Sequence, residues 1–200
     1  MTLYKIRERF EGFSIRVGIV FGKLGLSPNA WTMSTIIPTL IALHFLLRKD
    51  FILAGAFFLA AAFFDLIDGS VARVTGRVSK LGAYLDTIVD RYVEFLIVLG
   101  LMFAQLPPVW IATEVWLLTY LFGGMMTTYA KAAAKEKGLV EKELRGGVME
   151  RAERLIVLFI GILLASTKPA YLSYVIVLLA IATNISAIQR IIAATGKSKS

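Results

Sequence analysis

A chain of 200 residues with 58% hydrophobic content and a mean hydropathy of +0.73 is far more apolar than the roughly half-apolar soluble domain, which excludes an ordinary water-soluble globule. Lys and Arg outnumber Asp and Glu by 22 to 14, giving a net charge of +8, and the absence of cysteine excludes disulfides and thiolate metal sites. No basic stripe with interleaved aromatics and no nucleic-acid module accompanies that charge, so nucleic acid is not an expected partner.

The chain opens on "MTLYKIRERFEGF", whose scattered charges interrupt any apolar core that could serve as a secretory signal. Leu3, Ile6, Phe10, Phe13, Val17, Val20 and Leu24 recur at spacings of three and four, with Lys5, Arg7, Glu8, Arg9 and Glu11 on the other faces. This predicts an amphipathic interfacial helix over 1–26, lying on the membrane surface. A helix packed on protein would show the same pattern, because Pro28 in "LSPNAWT" interrupts the chain before the first apolar run.

Six apolar stretches follow, near 29–47, 51–72, 81–105, 109–132, 153–166 and 170–192, the fifth being the shortest. A spanning helix needs about 20 predominantly apolar residues, somewhat fewer with snorkelling flanks. The stretches are continuous rather than alternating and rich in Leu, Ala and Phe. They predict an all-α integral membrane protein with six transmembrane helices in one domain over 27–195. Residues 196–200 complete the chain as a short basic tail.

Six spans put both termini on one side, and 18 Lys and Arg fall in the loops and ends of that side against Arg48, Lys49 and Lys168 on the other. The positive-inside rule therefore orients both termini towards the cytoplasm in a multi-pass cell-membrane protein. Anionic membrane lipids are the natural partners of this charge.

Asp65 and Asp68 end the second stretch, and Asp86 and Asp90 begin the third, so all four meet the cytoplasmic surface. Spacings of three and four place each pair on a single helix face. Gly69 and Gly82 would let backbone or ligand approach closely. Four clustered carboxylates repel one another strongly at low dielectric and call for a cation. Hard oxygen donors, with His44 distant in the first span, favour Mg²⁺, Mn²⁺ or Ca²⁺ over zinc. Pairing with Arg73, Arg77 and Arg91 is the structural alternative.

The pattern Asp65-x2-Asp68-Gly69-x2-Ala72-Arg73-x8-Gly82-x3-Asp86-x3-Asp90, 26 residues long, resembles the signature of the CDP-alcohol phosphotransferases, integral membrane enzymes of phospholipid synthesis. The resemblance implies transfer of a phosphate-linked alcohol from a CDP-alcohol to a second alcohol, with release of CMP. It further implies that Asp65, Asp68 and Asp86 hold two divalent cations, with Asp90 as a further ligand and the base for the acceptor hydroxyl. Asp65, Asp68, Gly69, Ala72, Arg73 and Gly82 would bind the cytidine diphosphate group, and the enzyme would be a homodimer.

Further along, Lys131 ends the fourth stretch, Arg151 and Arg154 open the fifth three residues apart, and Arg190 ends the sixth. One pocket receiving all four would suit a phosphorylated acceptor, although solvated positive-inside residues would look alike. "Tyr-Ala-Lys", "Met-Glu-Arg-Ala-Glu-Arg-Leu" and a late "Ile-Gln-Arg" are similar to the branch that transfers to inositol 1-phosphate, the phosphatidylinositol-phosphate and archaetidylinositol-phosphate synthases. Glycerol 3-phosphate as acceptor and CDP-inositol as donor are the alternatives within this chemistry. A divalent-cation transporter is the alternative outside it, disfavoured because transporter sites lie near the midplane.

Overall fold

The computed structural model describes the backbone of residues 3–140 and 147–197, and the side chains of 11–140 and 147–196. The described chain is helical throughout its regular structure: α1 (Leu3–Gly22), α2 (Pro28–Ser34), α3 (Ile36–Leu47), α4 (Phe51–Val74), α5 (Lys80–Phe103), α6 (Thr113–Glu136), α7 (Arg151–Ala165) and α8 (Pro169–Lys197). Among the described residues the one strand-like feature is an isolated bridge, in which Val109 and Ile111 exchange backbone hydrogen bonds across Trp110.

Each apolar stretch contains a helix, although the fourth becomes helical only from Thr113, and three segments are long and apolar enough to cross a membrane: Pro28–Leu47, Phe51–Val74 and Pro169–Gly196. The chain is a membrane protein. At 1.5 Å per residue the 24 residues of α5 and of α6 reach about 36 Å, while the 15 of α7 reach only about 22 Å. The first stretch is interrupted at Thr35, between α2 and α3. Pro38 accounts for the break, because it offers no N–H to the Ser34 carbonyl four residues back. Hydroxyls bond the carbonyls on either side of the break: Ser34 donates to the Trp31 carbonyl at 2.8 Å and Thr39 to the Thr35 carbonyl at 2.8 Å.

The chain folds as two compact units, residues 1–43 with 56–96, and residues 44–55 with 97–200. The tail expected at 196–200 begins as the last turn of α8, and residues 198–200 lie outside the described part.

In the first unit Val17, Trp31, Ile67 and Val71 form a core with Phe21 and Phe64 against it. Trp31 stands edge-on to both Phe21 and Phe64, at 5.4 and 5.6 Å between ring centroids. α1 thus packs on protein through Ser14, Val17, Gly18 and Phe21. Of the stripe read from the sequence, Val17 joins the core, whereas Phe13, Val20 and Leu24 remain 50%, 60% and 62% exposed. The side chains of Leu3, Ile6 and Phe10 lie outside the described residues.

Small residues decide this face. A Cβ at Gly18 would lie 2.5 Å from the Ser70 carbonyl oxygen, so α1 and α4 touch backbone to backbone, as membrane helices do at small-residue seams. Gly18→Val is therefore expected to cost about 1–3 kcal/mol through overpacking. Thermal unfolding in detergent measures this, and an unchanged midpoint would contradict the close approach.

Two caps shape the turn between α4 and α5. Gly76, at φ +67°, ends α4 with the Arg77 N–H on the Ala72 carbonyl at 3.0 Å. Ser79 then accepts from the Gly82 N–H at 3.0 Å and starts α5.

In the second unit α8 packs along α6 and α7. Asn184 on α8 donates to the Thr119 carbonyl on α6 at 2.9 Å, a part-buried cross-helix bond. The segment before α7 is stitched to α8, with Met149 N–H on Ser186 Oγ and Val148 N–H on Gln189 Oε1, both at 3.0 Å. Glu153 reaches back to the Glu150 N–H at 2.9 Å, which fixes where α7 and its arginines begin.

Candidate active site

The last turns of α4 present Asp65, Asp68, Gly69, Ala72 and Arg73 on one face, and the first turns of α5 present Gly82, Asp86 and Asp90 at successive spacings of four. One carboxylate oxygen from each of Asp65, Asp86 and Asp90 lies within 4.8 Å of the others. Beside this triad is a cavity of about 370 Å³ whose walls include Asp68, Gly69, Ala72, Arg73, Gly82 and Asp86. All eight positions of the sequence pattern thus stand in the triad or on the cavity wall, and Asp86 belongs to both.

Asp68 is 6% exposed, and its Oδ2 has no hydrogen-bond partner among the described residues. Asp65 and Asp86 are close enough to its carboxylate to repel it. A buried carboxylate oxygen without a partner is expensive. Beside three converging carboxylates, with oxygen donors only, the arrangement fits hard divalent cations of the Mg²⁺ or Mn²⁺ type.

Two of the three arginines weighed as partners for these acids, Arg73 and Arg91, make hydrogen bonds elsewhere. Arg73 Nη2 donates to Ser14 Oγ at 2.7 Å, and Arg91 Nη1 donates to Glu94 Oε2 at 2.7 Å. Glu94, 1% exposed, continues the α5 series one turn beyond Asp90. Its spacing of four was the available signal, and the sequence reading passed over it.

At position 82 space is tight: a Cβ there would come within 3.1 Å of Ser79 Oγ and 3.2 Å of Asn29 Oδ1, and both side chains would have to give way by a few tenths of an ångström. Asn29 and Thr32, from the "LSPNAWT" segment read only as the start of the membrane domain, line the same cavity.

In the second unit the basic residues gather around Thr127 on α6. Arg154 Nη1 donates to the Thr127 hydroxyl at 3.1 Å, and Arg190 Nη1 donates to the Thr127 carbonyl at 2.8 Å. The hydroxyl itself donates to the Gly124 carbonyl at 2.7 Å. Lys131 lies one turn further along α6 and Arg151 one turn before Arg154 on α7. Arg154 is only 1% exposed, so its charge is held inside the unit, in contrast to the half-buried Lys131, Arg151 and Arg190.

The sequence model of the CDP-alcohol phosphatidyltransferases matches residues 26–187. The chain belongs to the CDP-alcohol phosphatidyltransferase family. As such it is a phosphotransferase enzyme. It is 34% identical over 189 residues to an archaetidylinositol phosphate synthase of Pyrococcus horikoshii, covering 94% of each chain. Among solved structures it is similar to the phosphatidylinositol phosphate synthase of Mycobacterium tuberculosis with CDP-DAG bound, at 27% identity and a TM-score of 0.78 over 90% of this chain and 92% of that one. The same synthase in complex with manganese and citrate matches at 26% identity and a TM-score of 0.79, over 91% of this chain and 88% of that one.

Proposed function

We propose that this phosphatidyltransferase moves a phosphatidyl-type group from CDP-diacylglycerol or CDP-archaeol to inositol 1-phosphate, releasing CMP. The observation that carries this reading is the convergence of all eight pattern residues on one carboxylate triad and one cavity. The acceptor hydroxyl attacks the lipid-side phosphorus of the diphosphate. A new P–O bond forms, the bond to the bridging oxygen breaks, and CMP leaves with that oxygen.

Asp65, Asp68, Asp86 and Asp90 would hold two divalent cations, Mg²⁺ or Mn²⁺, which when bound neutralise diphosphate charge and stabilise the leaving phosphate. The chain's own groups do the rest. Gly69, Ala72 and Gly82 let the nucleotide approach the helix backbones, and Arg73 supplies a fixed cation at the cavity wall. Asp90 accepts the proton of the attacking hydroxyl. Lys131, Arg151 and Arg190 bind the acceptor's phosphate, with the buried Arg154 adding positive potential behind them.

The same reading covers the setting in the membrane. All six apolar stretches span it as the 27–195 catalytic domain, both termini and the active site face the cytoplasm, and α1 with the turn after it rests at the lipid surface on Phe13, Val20 and Leu24. The 18-to-3 loop bias in Lys and Arg supports the orientation. The Ala- and Gly-rich spans are suited to homodimer formation.

Transfer of radiolabel from the CDP-lipid in vesicles, with inositol 1-phosphate, glycerol 3-phosphate, serine and free inositol compared, tests the assignment. Labelled lipid and equimolar CMP with inositol 1-phosphate are expected. Preference for glycerol 3-phosphate would overturn the acceptor, and divalent-cation uptake without CMP release would overturn the chemistry.

A further inference from the structure

Arg73 lines the cavity, yet its described hydrogen bonds run away from it, towards α1. Nη2 donates to Ser14 Oγ at 2.7 Å and more distantly to Ser70 Oγ at 3.4 Å. Ser70 Oγ donates to the Leu66 carbonyl at 2.7 Å, which uses the only proton of that hydroxyl. The two hydroxyls are 2.7 Å apart, and in the arrangement where Ser70 donates to Leu66, Ser14 donates to Ser70. With the Ser70 proton on the Leu66 carbonyl, the chain runs from Arg73 to Ser14, from Ser14 to Ser70 and from Ser70 to the Leu66 carbonyl. Each bond polarises the next, and a cation at its head strengthens the first.

Burial makes the relay hard to replace. Ser14 is 6% exposed and Ser70 0%, so water cannot readily take the place of either hydroxyl. Gly18, one turn beyond Ser14, presses α1 onto the Ser70 carbonyl and holds the spacing between the helices. An arginine so anchored has already lost rotamer freedom that a loose one would lose on binding a diphosphate.

We propose that Ser14 is a positioning residue for the CDP-linked donor, holding the Arg73 guanidinium at the cavity wall so that the N-terminal helix completes the nucleotide site. This rests on the reading of that cavity as the CDP site. Ser14 lies outside residues 26–187, the part of the chain that matches the family. The relay gives α1 a part in donor binding as well as in lipid contact.

The test uses the full chain in lipid nanodiscs with Mn²⁺, measuring affinity for CDP together with KM and kcat for the CDP-lipid. Ser14→Ala is expected to raise the CDP dissociation constant and the donor KM about tenfold, the usual scale for a lost charge-assisted hydrogen bond, with kcat within about twofold. In an Arg73→Met background the same change is expected to add nothing to the CDP dissociation constant, because the group it acts through is gone. Unchanged donor affinity in Ser14→Ala, or an equal loss in the Arg73→Met background, would overturn the proposal, the second result assigning the effect to helix packing alone. Should Ser14→Ala not fold, Ser70→Ala breaks the same relay and is expected to give the same split between KM and kcat. Failure of the parent protein to bind CDP would overturn the reading of the cavity and the proposal together, whereas a normal parent with an unaffected Ser14→Ala overturns only the role of Ser14.

Discussion

Asp86→Asn is expected to abolish transfer, lowering kcat/KM by about 10⁴-fold. Asp86 is the residue shared by the carboxylate triad and the cavity wall, so on the proposed reading its charge would serve both the cations and the donor. Removing one anionic ligand from a divalent site forfeits several kcal/mol of charge stabilisation, and each 1.4 kcal/mol is a factor of ten in rate. The carboxamide keeps the shape of the side chain, so the helix pair should fold normally. Donor affinity measured with Mn²⁺ present should fall along with turnover. A variant that kept parental activity would place the cations elsewhere.

Asp90→Asn should separate binding from chemistry. Asp90 belongs to the triad but does not line the cavity, so CDP-lipid affinity is expected to stay within a few-fold of the parent. Turnover is expected to fall about 10³-fold, within the usual range for losing a positioned base. An amide cannot accept the hydroxyl proton at neutral pH. Direct donor binding alongside kcat is the measurement, and near-parental kcat would remove Asp90 from the proton transfer.

Much of this site was legible because helical spacing is a local property. Asp65 with Asp68, and Asp86 with Asp90, must share a face on any helix, and the two capped ends around Gly76 and Ser79 then bring the faces together. The apolar stretches were equally plain, since a lipid-embedded helix needs an unbroken run of apolar side chains. Where a backbone donor was missing, the pattern said less: Pro38 divides the first stretch without changing its hydropathy.

Polar and small residues carried what the sequence left hidden. Hydrophobic periodicity assigned α1 a stripe through Phe13, Val17 and Val20, but the packed face is set by Ser14 and Gly18, which such a criterion counts as polar or neutral. Thr127 had no motif around it, and its role as the common partner of Arg154 and Arg190 emerges only when α6, α7 and α8 are assembled. The burial of Arg154 follows from the same assembly. A cation near a span end reads as solvated on positive-inside grounds alone, whereas here the Thr127 hydroxyl gives it a place inside.

Anomalous diffraction at the manganese edge, from crystals of the full chain grown with Mn²⁺, bears most directly on whether the acidic cluster is a cation site. Two manganese peaks within coordination distance of Asp65, Asp68, Asp86 and Asp90 are expected, both lost in Asp86→Asn crystals. Carboxylates turned onto arginine side chains with no manganese between them, or manganese bound only at other residues, would contradict the cation-assisted transfer.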